Sequence, residues 1–300
     1  MHILLTGGTG LIGRALCRQW TAQGEQLSVW SRRPQQVPEL CGETVRGIAR
    51  LEELGDAPLD AVVNLAGAPI ADRPWTHRRK VELWGSRIHL TEQLVAWLAA
   101  RAQRPAVLVS GSAVGWYGDG GERELREDMS PVCDDFPSQL CGAWEEAAQA
   151  AGELGIRVVL VRTGLVLARD GGFLKRLLPL FRLGLGGPLG RGRQWMPWIH
   201  LRDEITAIDF LLRHSAAEGP YNACAPQAVR NKAFARALGR ALHRPALLPV
   251  PALALKATLG ELSGLLLGGQ RAVPARLLEA GFTFHYSDLD RALADLLGPH

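Results

Sequence analysis

The sequence predicts an α/β protein: a doubly wound parallel sheet with a smaller C-terminal substrate lobe. Short apolar runs at Ile3–Leu5, Leu27–Trp30, Ala61–Leu65, Ala106–Ser110 and Arg157–Arg162 are separated by stretches with helical spacing. Such alternation means a parallel sheet covered on both faces. A glycine-rich turn joins the first of these runs to the first helix. The 300 residues, 47% of them hydrophobic, are enough for one large or two closely joined domains around a buried core.

Met1-His2 leads directly into Ile3-Leu4-Leu5 with no basic region or cleavage site, so the start reads as a first strand, not a signal peptide. Thr6–Gly13 is the turn, and Arg14 to Gln23 is a helix with Ala15, Leu16 and Trp20 on one side. Gly24 ends it, and Leu27–Trp30 is the next strand. Helical spacing recurs over Arg87–Arg101, before the fifth strand at Ala106–Ser110, and over Gly142–Leu154, before Arg157–Arg162. Beyond Arg162 the pattern loosens: Gly171–Met196 is rich in Gly and Leu, and Pro197–Arg213 becomes strand and helix again. Tyr221–Ala225 reads as a final short strand, and two helical stretches follow. Residues 1–168, together with about 197–226, are expected to form the nucleotide-binding domain, and 169–196 with 227–300 the smaller lobe.

Composition removes several classes. The charge balance is only +4, and the densest basic cluster, His77-Arg78-Arg79-Lys80, reads as a solvated helix face, so no nucleic-acid partner is expected. Five scattered cysteines and eight histidines show no paired spacing, which argues against a disulfide frame or a metal site. Mean hydropathy is +0.01, and the apolar stretch Leu262–Leu267 stops at Gly268 and Gly269, well short of the roughly 18 residues of a membrane span. A cytoplasmic protein acting on a small-molecule substrate, away from membranes, is the expectation. Oligomeric state is not legible.

Gly8-x-Gly10-x-x-Gly13 follows a strand and opens a helix. In this dinucleotide fingerprint the glycines allow a tight turn and close pyrophosphate approach, and the helix N-terminus favours the negative charge. Gly7, Gly8, Thr9, Gly10, Leu11, Ile12 and Gly13 are therefore cofactor candidates in a Rossmann-type unit. An NAD site wants a carboxylate about 20 residues past the glycines, but Ser31-Arg32-Arg33 stands there. A guanidinium grips a 2′-phosphate bidentately and a serine hydroxyl donates to it, so NADP(H) is expected. The alternative is two surface arginines before Pro34. Ligands of such sheets lie beyond the carboxyl ends of the strands, which brings in Leu65, Ala66 and Gly67 after the fourth strand and Ser110–Ala113 after the fifth. Both tetrapeptides also suit plain strand-to-helix turns.

Thr6-Gly7-x-x-Gly10-x-x-Gly13, Asp60-x-Val-Val-Asn-Leu-Ala-Gly67, Ser110-x-Ser112 with Tyr117-Gly118, and Trp198-Ile199-His200-x-x-Asp203 resemble the extended short-chain dehydrogenase/reductases. That superfamily includes the sugar-nucleotide epimerases and dehydratases. Gly85-Ser86-Arg87, Trp116-Tyr117-Gly118-Asp119, Cys141-x-x-Trp144-Glu145, Arg162-Thr163-Gly164-x-Val166-Leu167, Phe181-x-Leu183-Gly184-x-Gly186-Gly187-Pro188 and Leu267–Arg271 are similar to the group within it called epimerase family proteins. The resemblance implies hydride transfer with a nicotinamide, a tyrosine acid/base, a lysine four residues later, and a serine holding the substrate oxygen.

This chain departs from that pattern. Four residues beyond Tyr117, Tyr221 and Tyr286 stand Gly121, Ala225 and Asp290. By alignment of the helix ending Trp144-Glu145, Pro137 occupies the tyrosine position, Cys141 the lysine position, and Arg87 that of the structural asparagine. Ser112 alone is kept. The catalytic candidates are thus Ser112, Tyr117 (an acid if Arg87 approaches it) and Cys141, while His200 matches a histidine that is commonly structural. The resemblance also implies that Glu82 and Arg87 face the cofactor ribose or phosphates. Phe173, Trp195, Met196 and Trp198 are candidates to line the substrate pocket. No G-x-S-x-G elbow or Gly-Lys-Ser/Thr loop occurs, which excludes a serine hydrolase and a P-loop enzyme. The reading is an NADP(H)-dependent oxidoreductase or epimerase acting on a small carbonyl, hydroxyl or nucleotide-sugar substrate. The alternative is a non-catalytic NADP(H)-binding sensor.

Overall fold

The computed structural model describes residues 1–298; the last two residues of the lobe expected over 227–300 lie outside it. Seven strands form one sheet: β1 (His2–Thr6), β2 (Gln26–Trp30), β3 (Arg46–Ile48), β4 (Ala61–Asn64), β5 (Val107–Ala113), β6 (Arg157–Thr163) and β7 (Gly219–Ala223). All pairings are parallel, in the order β7-β6-β5-β4-β1-β2-β3. The order reverses between β1 and β4, and ligands of open α/β sheets bind at the crevice this creates.

Alternate residues of each strand feed opposite cores. Ile3, Leu5, Val29, Val63, Val109 and Val161 pack with Leu16 and Trp20 of helix α1 (Leu11–Ala22). Leu4, Val62, Leu108 and Leu160 point to the other face. There Leu94 and Leu98, of the second of two helices α2 (His77–Gly85) and α3 (Ile88–Ala99), and Ala148 of α4 (Phe136–Gln149) cover them. The period of two along a strand therefore buries every strand on both sides.

The lobe has its own core. Leu174, Leu178 and Phe181 of α5 (Gly172–Arg182) meet two later helices there. The intervening helix α6 (Leu201–Arg213) returns to the sheet, its Ile208 and Leu211 packed in the β1 core. The two lobe helices are α7 (Asn231–Ala241), through Phe234 and Leu238, and α8 (Leu289–Leu297), through Leu289, Leu293 and Leu296. Shorter helical turns at Ala252–Leu259, Gly264–Leu267 and Ala275–Glu279 lie between them. Leu262 reaches back to pack with Trp75, Leu83, Leu140 and Trp144, and Lys80 pairs with Glu261 at 2.6 Å, so this segment lies over α2 and α4.

Several sequence expectations are corrected. Strand β5 runs on to Ala113, so Ser110–Ala113 lie within it and not beyond it; Ser112 is opposite Arg162 in the parallel register. The helix expected from Gly142 begins at Phe136, where the Asp135 side chain accepts from Ser138 N at 3.0 Å and Pro137 sits in the tolerant first turn. The Gly/Leu-rich segment contains α5, whose Leu174, Leu178 and Phe181 repeat one helical face. Met196 and Trp198 belong to the lobe core, Trp198 being 1% exposed, and do not line a cleft. Phe173 packs on Phe234 with ring centroids 6.0 Å apart, and Trp195 is stacked under Arg230 at 4.4 Å.

Candidate cofactor and active site

At the switch point three polar side chains tie the strand ends together. Thr6 Oγ1 donates to Asn64 Oδ1 (2.7 Å) and accepts from Ala66 N (3.0 Å), and Asn64 Nδ2 donates to Thr91 Oγ1 (2.8 Å). The turn beyond β1 tolerates only glycine at two places. Gly7 has φ +69°, and a Cβ there would lie 2.5 Å from Leu65 O; a Cβ on Gly13 would lie 2.4 Å from Gly7 O. Gly10 is the N-cap of α1, with no side-chain cap and no acidic residue in the first turn. The first amides of α1 are thus left for an anion. A cradle that admits no Cβ, in front of an uncapped helix N-terminus, fits a dinucleotide pyrophosphate. Leu11 reaches across to Gly171 and Gly172 at the entry to the lobe, Ile12 packs on the core, and Thr9 is half-buried.

At the end of β2 a cavity of about 380 Å³ is lined by Trp30, Ser31, Arg32, Ala49, Gly85, His89, Leu90 and Gln93. It brings together Ser31 and Arg32 of the expected phosphate clamp, while Arg33 lies outside its lining and donates its amide to Ser31 Oγ at 3.2 Å. Glu82 is exposed and paired with Arg79 (2.8 Å) and Arg73 (3.2 Å). Arg79 first, then Arg73 and Arg32, hold its carboxyl below the usual range. Arg87 lies against the Gly67 backbone, where a Cβ would be 2.8 Å from its Cζ, and its Cζ is 5.3 Å from the Trp144 ring. Burial lowers its pKa. Leu65 and Ala66 abut Gly7.

The densest chemistry is on β5, β6 and α4. Ser112 Oγ donates to Glu145 Oε1 at 2.6 Å. Arg162 holds the same carboxylate with both arms, Nε to Oε1 at 2.8 Å and Nη2 to Oε2 at 2.9 Å. The guanidinium lies 3.5 Å from the Trp116 ring centroid and donates to Tyr117 Oη at 3.1 Å. All these side chains except Trp116 are buried. Cys141, one turn before Glu145 on α4, has its thiol pushed up to about 12 by burial and then by the Glu145 charge, so it is neutral at physiological pH.

Arg87 does not approach Tyr117, the condition on which the sequence made that tyrosine an acid. Tyr117 is 0% exposed, its hydroxyl donates to Asn222 Oδ1 at 2.9 Å, and its cationic partner is Arg162. Burial pushes its pKa up to about 12, the opposite of what an acid/base tyrosine needs. His200 Nδ1 accepts from Arg202 N at 3.0 Å and caps α6, a structural duty. Sequence reasoning passed over Glu145 and Arg162 as functional residues, although each breaks an apolar pattern: Arg162 follows Val158–Val161, and Glu145 shares a helix face with Cys141 and Ala148. Charges in such positions are buried only when paired. Among the described residues no helix is long and apolar enough to cross a membrane.

Comparison with known proteins agrees with this geometry. The model of the NAD dependent epimerase/dehydratase family matches residues 3–224, and a domain of unknown function, DUF1731, matches residues 250–296. An epimerase family protein of Mycobacterium bovis is 42% identical over 97% of this chain and 96% of its own length. The YfhF epimerase family protein of Bacillus subtilis is 36% identical over 99% and 98%. The crystal structure of the human epimerase family protein SDR39U1, determined with NADPH, matches with a TM-score of 0.88 at 35% identity, covering 99% of both chains. The chain belongs to the NAD-dependent epimerase/dehydratase family, as an epimerase family protein of the extended short-chain dehydrogenase/reductase superfamily.

Proposed function

We propose that the protein is an NADP(H)-dependent oxidoreductase or epimerase for a small cytoplasmic substrate bearing a hydroxyl or carbonyl group. The observation that carries this is the Ser112–Glu145–Arg162 chain: a serine on β5 whose proton is already committed to a carboxylate, itself fixed from behind by a guanidinium. When bound, the nicotinamide gives or takes hydride. The protein's part is proton transfer and orientation. With Oγ–H aimed at Glu145, the lone pairs of Ser112 Oγ accept the hydroxyl proton of a substrate alcohol as the serine proton moves to Glu145 Oε1. In the reverse direction a protonated Glu145 returns a proton through Ser112 to a carbonyl oxygen. Arg162 keeps Glu145 in one orientation, so the relay does the work that the tyrosine and lysine do in relatives of the usual pattern. Cys141, held neutral, packs beside the serine.

The cavity carrying Ser31 and Arg32 supports NADP(H) over NAD(H), and the human relative was crystallised with NADPH. The second reading, a non-catalytic NADP(H) sensor, draws on the high pKa values of Tyr117 and Cys141, neither of which ionises near neutrality.

The test is Glu145→Gln assayed by NADPH absorbance over a panel of carbonyls, alcohols and nucleotide sugars. Positioned acid/base groups contribute about 10²–10⁴-fold, so turnover falls by at least ~100-fold while NADPH affinity holds. Undiminished turnover in this variant would refute the relay. No turnover by the wild type on any of the panel, with NADPH bound, favours the sensor.

A further inference from the structure

We propose that the smaller lobe docks on a membrane surface carrying anionic lipid headgroups, through an arginine-lined cavity and exposed leucines at the far end of α5. Charge is segregated along this chain. Residues 171–202 and 219–260 hold twelve Lys and Arg and no Asp or Glu, although one residue in ten of the whole chain is acidic. The remaining residues carry 22 basic against all 30 acidic side chains. Backbone hydrogen bonds tie the two basic stretches into one surface: Leu248 N donates to Gly186 O at 3.2 Å and Val250 N to Pro188 O at 2.9 Å. A molecule so divided turns its basic lobe toward an anionic surface.

At the end of α7 a cavity of about 590 Å³ is lined by Arg236, Arg240, His243 and Arg244 together with Leu247. Of these arginines only Arg240 has a carboxylate partner among the described residues, Asp290 at 2.7 Å. Arg244 Nε donates to Arg182 O at 3.0 Å, which brings the end of α5 to the rim. His243 stands at φ +52°, where α7 closes with His243 N bonded to Arg240 O and Arg244 N to Gly239 O. Glycine is the usual occupant of that position, so a strained backbone keeps an imidazole at the cavity instead. A helix C-terminus favours a nearby cation; it does not call for three arginines and a histidine around one hollow.

Apolar side chains gather on the same surface. Of the nine large apolar side chains that are exposed among the described residues, six lie on these two stretches: Leu180, Leu183, Leu185, Leu247, Leu248 and Leu253. Leu183, Leu247 and Leu253 are 72%, 79% and 81% exposed. Side chains so exposed stand out from the surface and do not line a groove. They suit an occupant into which single leucines sink, the hydrocarbon beneath a layer of headgroups, while the headgroup phosphates meet the arginines. Two copies meeting through this face would set like charges against each other, and a nucleic acid would take the arginines but leave the leucines in water. The sequence expectation of a protein away from membranes rested on the lack of a span, and a peripheral contact needs none. Helix α5 begins at Gly172, against Leu11 of the glycine turn, and its eleven residues set the docking face about 16 Å from it. The proposal therefore stands apart from the cofactor site.

The experiment floats the full chain with vesicles of phosphatidylcholine alone, or with about 30 mol% phosphatidylglycerol added, at 50 and 500 mM salt. The expected result is partition onto the anionic vesicles at least tenfold above the neutral ones at low salt, falling toward the neutral level at high salt. Arg236→Glu and Leu247→Ser each lower that partition at least threefold and together abolish it. Both side chains are exposed, so the urea midpoint stays where it was in each variant. Equal partition onto the two kinds of vesicle, or partition that survives both substitutions, overturns the proposal. Absence of vesicle binding overturns it too. In that case self-association abolished by Leu247→Ser assigns the leucines to a second copy, and binding of poly-glutamate abolished by Arg236→Glu assigns the arginines to an acidic protein.

Discussion

The two ends of the crevice are built on opposite principles. At the β1 end recognition comes from backbone: glycines that admit no Cβ and a helix N-terminus without a cap. The glycines and the helix start lie within a dozen residues, walled on one side by Leu65 and Ala66, and the cavity beyond is open to solvent. At the β5–β6 end the chemistry comes from side chains brought together from far apart in sequence, Ser112, Glu145 and Arg162, and all three are buried. The open end tolerates charge because water and ligand share its cost. The closed end holds charge only because each group has a partner. Perturbation therefore should be cheap at one end and costly at the other.

The sharpest break is Arg162→Met. It leaves the Glu145 carboxylate buried and opposed only by the Ser112 hydroxyl, and removing one partner of a buried pair costs about 3–5 kcal/mol. Urea unfolding reads this directly. The double variant Arg162→Met with Glu145→Leu regains most of the lost stability, since an apolar pair of similar volume is close to neutral, yet stays without turnover because Ser112 has lost its acceptor. A single-variant loss below about 1 kcal/mol would mean that the carboxylate is hydrated and the contrast between the two ends is false.

A second carboxyl refines the contrast. Thr163, the residue after Arg162 on β6, donates to Glu204 Oε1 at 2.8 Å, while Glu204 Oε2 has no partner among the described residues. Glu145 is buried with a cation and Glu204 without one. Burial accordingly pushes the Glu204 pKa up from 4.5 to about 8. Below 4.5 the group is neutral in both folded and unfolded chains, and its stabilising contribution is complete. As pH rises toward 8 the unfolded chain ionises first and stability falls, until the folded chain ionises too. At about 1.4 kcal/mol per pKa unit, less what water entry relieves, the loss across this window is about 2–4 kcal/mol. The urea midpoint should decline between pH 5 and 8 in the wild type and stay flatter in Glu204→Gln; equal slopes would show that Glu204 is not the group.

The same division explains what could be read from sequence. Strands that alternate with helices, and a glycine fingerprint between the first two elements, are local patterns, so the cradle was legible from residues 1–30 and the sheet with its parallel sense from the alternation up to Arg162. Gly171–Met196 hid α5 because Pro179 and the surrounding glycines masked the face of Leu174, Leu178 and Phe181. Arg87 was the arginine whose approach would have made Tyr117 an acid, but sequence order does not say which of several arginines reaches that ring; the parallel register of β5 and β6 decides it, setting Arg162 opposite Ser112. Glu145 was visible as a charge on an apolar helix face. Its partner was not, since Arg162 is on another strand and the pair exists only once α4 lies across β5 and β6.

The smallest effect belongs to the open end. Arg32 lines the cavity at the end of β2 with Ser31, and its charge is near enough to Glu82 to help hold that carboxyl ionised. Where a 2′-phosphate enters, the guanidinium gains a bidentate partner that a 2′-hydroxyl cannot supply, but solvent reaches both groups and screens the attraction. Arg32→Ala should therefore weaken NADPH about tenfold, ~1.4 kcal/mol, leave NADH affinity unchanged, and leave the urea midpoint where it was. Raising the salt from 50 to 500 mM should shrink the wild-type preference toward that of the variant, because an exposed phosphate contact is screened as a buried pair is not. A preference for NADPH that survives both the substitution and the salt would place the 2′-phosphate on buried groups instead, and the rule that this molecule binds with open charge at one end and reacts with closed charge at the other would fail at its first end.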